Sequence, residues 1–168
     1  MSGRDRAIVA MLLFFSLFNV TFDLYLVWNA ERLPSMVATD WAAWLWGLYT
    51  SADRFWVVAP WSFAQEFLNV YVTTIVNVWL VYAIVTRRPY RHPLQLTLGA
   101  WMSYSVVLYF LAGHVSGYAG MRERSVPLLA FFYGVTLPWL LAHAFMTWDS
   151  YRAITARFVR GSAPPSAS

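Results

Sequence analysis

The stretch SFAQEFLNVYVTTIVNVWLVYAIVTRR, from Ser62 to Arg88, decides the fold class of this 168-residue chain. It exceeds the roughly 20 mostly apolar residues that a helix needs to cross a bilayer. Glu66 lies near its beginning, and a charge at membrane depth costs about 2.5–3.5 kcal/mol. The stretch therefore predicts a membrane-spanning helix with one carboxyl group that has a function or a partner inside the protein.

The rest of the chain has the same character. Hydrophobic residues make up 60% of it and charged residues 12%, whereas soluble domains have about 45–50% and 25%. The chain has no cysteine, which excludes disulfides, thiolate metal sites and thiol catalysis, and no metal or cofactor is expected. Apolar runs of spanning length predict an all-α four-helix membrane bundle with spans at about 7–29, 63–85, 94–118 and 127–148.

The arginines orient the bundle, since all twelve basic residues are Arg. In a four-span topology eight of them fall on the side of the termini and four on the other side. The positive-inside rule then predicts that both termini are cytoplasmic. The arginines form no basic stripe, which argues against nucleic acid as a partner.

The long connection between the first two spans contains TDWAAWLWGLYTSADRF, which starts at Thr39. Thr39 or Asp40 is a candidate N-cap, and Trp41, Trp44, Leu45 and Leu48 share one helical face. We expect a short interfacial helix here, on the non-cytoplasmic side, in the position of a lid. Residues 1–155 are predicted to form one membrane domain, and residues 156–168 a disordered cytoplasmic tail.

Three ionisable side chains fall in the same half of the bilayer, because the spans alternate in direction. They are Asp23, Glu66 and His114. Polar residues that are spaced to share a helix face accompany them, and such faces are expected to point into the bundle or line a cavity. These faces comprise Glu66, Asn69, Thr73 and Asn77 on the second span, and Asn19 and Asp23 on the first.

Each of these polar residues has a structural and a functional interpretation. Asn and Thr between membrane helices are commonly interhelical hydrogen-bond partners, and His114 could be a solvated helix end. A carboxyl group in hydrocarbon holds its proton because burial disfavours the charged form, so Glu66 is a candidate proton donor. Deep aromatic residues such as Trp101 either pack or line a ligand pocket.

One block is more specific than these patterns. HPLQLTLGAWMSYSVVLYFLAGH, from His92 to His114, resembles a segment of the emopamil-binding proteins, which include the sterol Δ8–Δ7 isomerases. YTSADRFWVVAPWSFAQEF, NVTFDLYLVWNAERL and PLLAFFYGVTLPWLL are similar to other segments of that family. The resemblance covers roughly residues 10 to 155. It implies the EXPERA domain, a four-helix membrane module shared with the sigma-2 receptor, and a cavity for a sterol-like hydrocarbon.

The resemblance also implies roles for individual residues. The family's second-helix glutamate falls on Glu66, and its first-helix HxxxE pattern falls on Asn19 and Asp23. The last-helix Asn and Trp of the isomerases fall on Phe131 and Gly134, which do not match. The sigma-2 branch has an aspartate–leucine pair that corresponds to Asp23 and the residue after it.

Three functions follow as expectations from the resemblance and the buried acids. The first is a membrane isomerase that moves a double bond in a sterol-like or isoprenoid lipid through a carbocation, with Glu66 as proton donor and Asp23 as acceptor or relay. The alternatives are a non-catalytic sterol-binding or lipid-binding protein and a membrane terpene cyclase. The predicted substrate-binding residues are Asn19, Asn69, Thr73, Trp101, Tyr104, His114 and Tyr133.

The composition and the resemblance also predict the partners and the location of the protein. The expected partners are a sterol or isoprenoid lipid and the bilayer, and the aromatic outer faces would permit a homodimer. The multi-pass protein is expected in the cell membrane of a bacterium or in the endoplasmic reticulum of a eukaryote.

Overall fold

The computed structural model describes residues 1–36, 39–52 and 60–161. Within these ranges the chain is helical and contains no strand. Four long helices form the bundle, and two short ones, α2 (Leu33–Met36) and α3 (Trp41–Ala52), lie between the first two of them. The long helices are α1 (Gly3–Asn29), α4 (Pro60–Val85), α5 (Arg91–Val115) and α6 (Val126–Gly161).

The predicted fold class is confirmed, since all four long helices are long and apolar enough to span a membrane. Helices α1, α4 and α5 begin three or four residues before the predicted spans, and the ends of α5 and α6 also differ from the prediction. Helix α5 ends at Val115 because Gly117 and Tyr118 adopt left-handed backbone angles, with φ of 59° and 58°. Helix α6 continues to Gly161, past the predicted start of the tail at residue 156. Residues 53–59 of the predicted interfacial segment and residues 162–168 of the predicted tail lie outside the described ranges.

Side chains fix the beginnings of two helices. Ser2 and Asp5 form a capping box at the start of α1, in which each side chain accepts a hydrogen bond from the other residue's backbone N–H. Asp40 begins α3, and its Oδ1 accepts from the backbone N–H groups of Ala42 and Ala43. These bonds favour the ionised form and hold the pKa of the Asp40 carboxyl below its usual value. The predicted N-cap at Asp40 is therefore present.

The half of the bundle nearest the N-terminus has a close-packed apolar core. Gly99 lets α5 and α6 approach closely: a Cβ atom there would lie 2.8 Å from the carbonyl oxygen of His143 and would also meet Thr147. The core around it combines side chains from all four long helices, namely Ile8, Leu12, Leu80, Ile84, Leu98, Met102 and Met146.

In the other half, α3 packs against the long helices and closes the bundle. Trp46 of α3 is buried, stacks on Phe22 and donates its indole N–H to the Phe22 carbonyl oxygen at 3.0 Å. Its neighbours in this second cluster are Leu26, Leu33, Ala43, Tyr109 and Phe132. Helix α3 is thus docked against the bundle with its Trp41 and Trp44 side chains on the outside.

The outer surface of the long helices is apolar. Large side chains such as Phe14, Leu17 and Ile75 are exposed on α1 and α4. A surface of this kind suits lipid.

Candidate active site

A cavity of about 310 Å³ lies in the half of the bundle that α3 closes. All four long helices and α3 contribute to its wall. Its volume falls within the range of small-molecule sites, which are about 300–1,000 Å³. Both predicted catalytic acids, Asp23 and Glu66, line it.

The two carboxyl groups come from different helices and meet at this wall. Asp23 is 5% exposed and Glu66 is 6% exposed, and their side chains hydrogen-bond to each other. Because a carboxylate can only accept, a hydrogen bond between two carboxyl groups requires a proton on one of them. Two like charges in contact are strongly disfavoured, so the pair is suited to holding one proton between two oxygens.

Asn69 adds a donor beside the pair. Its side-chain amide donates to Glu66 Oε2 at 3.4 Å, and Asn69 itself lines the cavity. The bond leaves the second carboxyl oxygen of Glu66 available to Asp23 or to a bound molecule.

A π-helical turn interrupts each of the two helices that carry the acids. One turn spans Asn19–Asp23 in α1, and the other spans Asn69–Thr73 in α4. Each begins at an asparagine whose carbonyl oxygen accepts from the backbone N–H five residues later, on Leu24 and Thr74. Such turns insert an extra residue into the helix and occur frequently at functional sites. Asp23 is the last residue of the first turn, and Glu66 lies three residues before the second.

Asn19 joins the two π-helical turns. Its amide nitrogen donates to the Asn69 carbonyl oxygen at 2.9 Å and to Thr74 Oγ1 at 3.1 Å. Thr74 Oγ1 in turn donates to the same Asn69 carbonyl at 3.0 Å. Asn19 is buried and lies outside the cavity wall, so in this structure it links the backbones that carry the acids.

Apart from Gln65 and Thr136, the remainder of the wall is aromatic and aliphatic. Among the described residues no arginine or histidine lines the cavity, so no cation pairs with the acids there. Nor do the acids belong to a group of three or more His, Asp or Glu within the described ranges that could hold a metal ion. The aromatic part of the wall consists of Phe18, Phe22, Trp46, Tyr49, Tyr109, Phe131 and Trp139.

The other predicted binding residues divide into two groups. Asn69 lines the cavity, whereas Asn19 and Thr73 are buried beside it without lining it. Thr73 Oγ1 donates to the sulfur of Met102 at 3.8 Å, and Met102 forms part of the wall. Asn19 and Thr73 therefore lie outside the wall and hold residues that form it, namely Asn69 and Met102.

The structure does not bring four predicted binding residues to the cavity. Trp101 and Tyr104 lie on the exposed side of α5, because the inward face of that helix is occupied by Met102 and residues in register with it. His114 is exposed at the end of α5, where its Nδ1 is 3.5 Å from the Tyr118 hydroxyl. That hydroxyl is 2.7 Å from the Tyr133 hydroxyl, so Tyr133 is engaged there.

Several wall residues were not among the predicted site residues. The polar ones are Gln65 and Thr136, and Thr136 lies on α6 three residues before Trp139. Helical spacing was the signal that could have found them. On α1, α5 and α6 the apolar wall residues are three or four positions apart. They are Phe18 and Phe22 on α1, Met102, Val106 and Tyr109 on α5, and Phe131, Val135 and Trp139 on α6.

The family model described as EXPERA (EXPanded EBP superfamily) matches residues 41–150. The chain belongs to the EXPERA family. The match includes Glu66 and most of the cavity wall, whereas Asp23 and Asn19 precede the matched residues.

One curated relative supports this membership of EXPERA. The chain is 26% identical over 114 residues to the 3-beta-hydroxysteroid-Delta(8),Delta(7)-isomerase of Rattus norvegicus. The alignment covers 66% of this chain and 49% of the relative. This EXPERA chain therefore spans about half the length of the curated relative that it matches.

Proposed function

We propose that this EXPERA chain is a membrane isomerase that moves a carbon–carbon double bond in a sterol-like or isoprenoid lipid. The observation that carries the proposal is the Asp23–Glu66 pair, which is buried at the wall of an apolar cavity with no cation beside it among the described residues. The name of the rat relative, a steroid Δ8–Δ7 isomerase, agrees with this reaction class.

The reaction begins with proton transfer. The protonated carboxyl of the pair, which we assign to Glu66, donates its proton to one carbon of the double bond. A C–H bond forms there, and the other alkene carbon becomes a carbocation. The carboxylate that remains stabilises this cation electrostatically, as a preorganised charge at the wall of an apolar cavity.

The reaction ends when the cation loses a proton from the adjacent carbon to a carboxylate, which we assign to Asp23. The electron pair of that C–H bond becomes the new double bond. The pair gives one proton and recovers one, so the step is balanced without an external acid or a cofactor. Proton exchange between the hydrogen-bonded Asp23 and Glu66 carboxyl groups is the step that this mechanism requires to restore the proton on Glu66 for the next cycle.

The aromatic wall suits the intermediate. Rings such as Trp46, Tyr49 and Trp139 present electron-rich faces, and cation–π attraction contributes roughly 0.5–2 kcal/mol per well-placed ring. The same wall binds a hydrocarbon through apolar contact. A flat, fused-ring or isoprenoid lipid therefore fits the chemistry of the cavity.

A deuterium experiment tests the proposal. Membranes that contain the protein are incubated in D₂O with a Δ8 sterol and, in a parallel arm, with a linear polyprenyl lipid. We expect a positional isomer of the sterol that carries one deuterium at the protonated carbon, detected by mass spectrometry. Cyclised product in the polyprenyl arm alone would refute the isomerase and favour a cyclase.

A matched pair of variants connects the chemistry to the site. Glu66→Gln retains size and hydrogen bonding but has no acidic proton, so deuterium incorporation should fall at least about 100-fold. Asp149→Asn, an equally conservative change at the other end of the bundle, should leave incorporation unchanged. Incorporation by Glu66→Gln at a near wild-type rate would contradict the assignment.

One observation favours a second function, a non-catalytic lipid-binding protein. The acids satisfy each other, and Asn69 donates to Glu66, so the polar groups are paired without a guest. In that case sterol would co-purify with the protein, and it would contain no deuterium after incubation in D₂O.

A further inference from the structure

A second cleft, with a volume of about 520 Å³, lies at the opposite end of the bundle from the carboxyl pair. The beginning of α1, the turn between α4 and α5, and the late part of α6 form its wall. Its lining is polar, whereas the lining of the cavity is apolar. The charged and titratable residues in the wall are Asp5, Arg87, Arg88, Arg91, His92 and Arg157.

Positive charge in this cleft exceeds negative charge. Asp5 is the only carboxylate among the described lining residues, and it pairs with Arg91 at 2.5 Å. Arg88 donates to the hydroxyl of Tyr82 and has no carboxylate partner among the described residues. Arg87 and Arg157 have no ion-pair partner in the part of the chain that the structure describes. The cleft is therefore complementary to an anion.

Two nitrogen atoms inside the cleft wall are buried without a hydrogen-bond partner among the described residues. They are Nε of Arg91 and Nδ1 of His92. Arg91 is 14% exposed and is held in place by Asp5, which itself caps α1. His92 is 9% exposed. Arg91 Nε is always a donor, and His92 Nδ1 is a donor in the tautomer that carries its proton there, so an anionic oxygen would satisfy them.

The backbone at Arg87 supports the same inference. This residue follows the C-terminus of α4 with φ of 55°, a left-handed conformation that favours glycine. The next residue, Arg88, donates its backbone N–H to the Ala83 carbonyl at 2.8 Å and closes the helix end. A long cationic side chain thus occupies a position where glycine would be less strained, and that strain points to a role for the guanidinium.

The depth of the cleft indicates the kind of anion. Val85 is the last residue of α4 and Arg91 the first of α5, so the cleft lies where the spans leave the hydrocarbon. Lipid phosphates lie at this level, and basic pockets between membrane helices bind such head groups. We propose that the cleft binds a phosphate group, carried by an anionic phospholipid or by a free phosphate ester. The proposal is independent of the reaction in the cavity.

A binding experiment distinguishes the two sources of phosphate. The full-length protein in a neutral detergent is titrated with dioctanoyl phosphatidylglycerol, dioctanoyl phosphatidylcholine and inorganic phosphate, and binding is followed by native mass spectrometry and thermal unfolding. We expect phosphatidylglycerol to bind and phosphatidylcholine not to bind. Competition by inorganic phosphate alone would identify phosphate itself as the ligand, and a lack of competition would identify the lipid head group.

Variants locate the binding. Arg87→Gly removes a guanidinium and relaxes the backbone, and Arg157→Gln removes another from an exposed position on α6. Each should weaken phosphatidylglycerol binding about fivefold, which corresponds to about 1 kcal/mol per arginine near the surface. Arg122→Gln, an equal loss of charge at the other end, should have no effect.

Two results would overturn the proposal. One is equal binding of phosphatidylglycerol and phosphatidylcholine by the wild type. The other is unchanged phosphatidylglycerol affinity in the Arg87→Gly/Arg157→Gln double variant. If Arg87→Gly fails to fold, Arg157→Gln alone, with Arg122→Gln as its control, decides the question.

Discussion

The acidic side chains in the two halves of the bundle have different partners. In the half near the N-terminus, Asp5 pairs with Arg91, and Asp149 accepts from Arg4 at 2.8 Å and from Gln95 at 3.2 Å. In the other half, Asp23 and Glu66 have only each other and Asn69 among the described residues.

The surroundings differ in the same way. The half with ion pairs has a continuous apolar core and a polar cleft at its outer end, and the half with the carboxyl pair contains the apolar cavity. An acid paired with arginine is neutralised and stabilises the fold, whereas in the proposed function the two acids beside the cavity share a proton and transfer it. The contrast separates structural from chemical acids, and four changes test it.

The largest effect is expected when both acids of the cavity are replaced. Glu66→Gln and Asp23→Asn should each lower isomerisation at least about 100-fold, because each removes one partner of the proton transfer. The double variant should lose little more than the stronger single variant, since residues that act as a unit are not additive. Rates of deuterium incorporation measure this, and multiplicative losses would show that the acids act separately.

The next largest effect is expected from a change in the half of the bundle near the N-terminus. Gly99→Ala places a Cβ against the His143 carbonyl and the Thr147 side chain, so it should lower the free energy of unfolding by about 1–3 kcal/mol. Gly134→Ala is the matched control, because a Cβ there meets nothing within 4 Å. Unfolding in denaturing detergent compares the two, and equal stabilities would contradict close α5–α6 packing.

The asparagine that joins the two π-helical turns should have a smaller effect on stability. Asn19→Ala removes the bonds to the Asn69 carbonyl and Thr74, and interhelical hydrogen bonds in membranes contribute about 0.6–1.7 kcal/mol. Asn29→Ala is the control, since Asn29 bonds within its own helix to the Tyr25 carbonyl. The same unfolding assay applies, and equal stability of the two variants would mean that Asn19 does not link the helices.

The smallest effect is expected at the Arg4–Asp149 ion pair, in the half of the bundle near the N-terminus. Asp149→Asn retains an acceptor for Gln95 and loses the charge that faces the mostly exposed Arg4. Pairs of this kind contribute about 0–1 kcal/mol, so unfolding should shift slightly and isomerisation should not change. A loss of isomerisation comparable to that of Glu66→Gln would remove the distinction between the two halves.

Much of the fold was predictable because its signals are local. Apolar length identified four spans, and Asp40 before an amphipathic run identified the start of α3. The prediction at the end of α5 missed the left-handed residues Gly117 and Tyr118, whose conformation has no apolar signature. The end of α6 was placed too early, because arginines and polar residues can extend a helix beyond the hydrocarbon.

The site was predictable only in part. Depth in the membrane selected Asp23 and Glu66, because an ionisable group in hydrocarbon is costly on any helix. Depth alone does not give the direction in which a side chain points. Trp101 and Tyr104 have suitable depth and face outward, and His114 is engaged with Tyr118.

The sequence by itself determined that this is a four-span helical membrane protein with two acids at one depth. Length, hydropathy and charge act residue by residue, so they can be read without a structure. Only the tertiary structure decided that Asp23, outside the matched EXPERA residues, meets Glu66 across two π-helical turns that Asn19 joins. Helix rotation and interhelical hydrogen bonds depend on all four helices together, and no single segment encodes them.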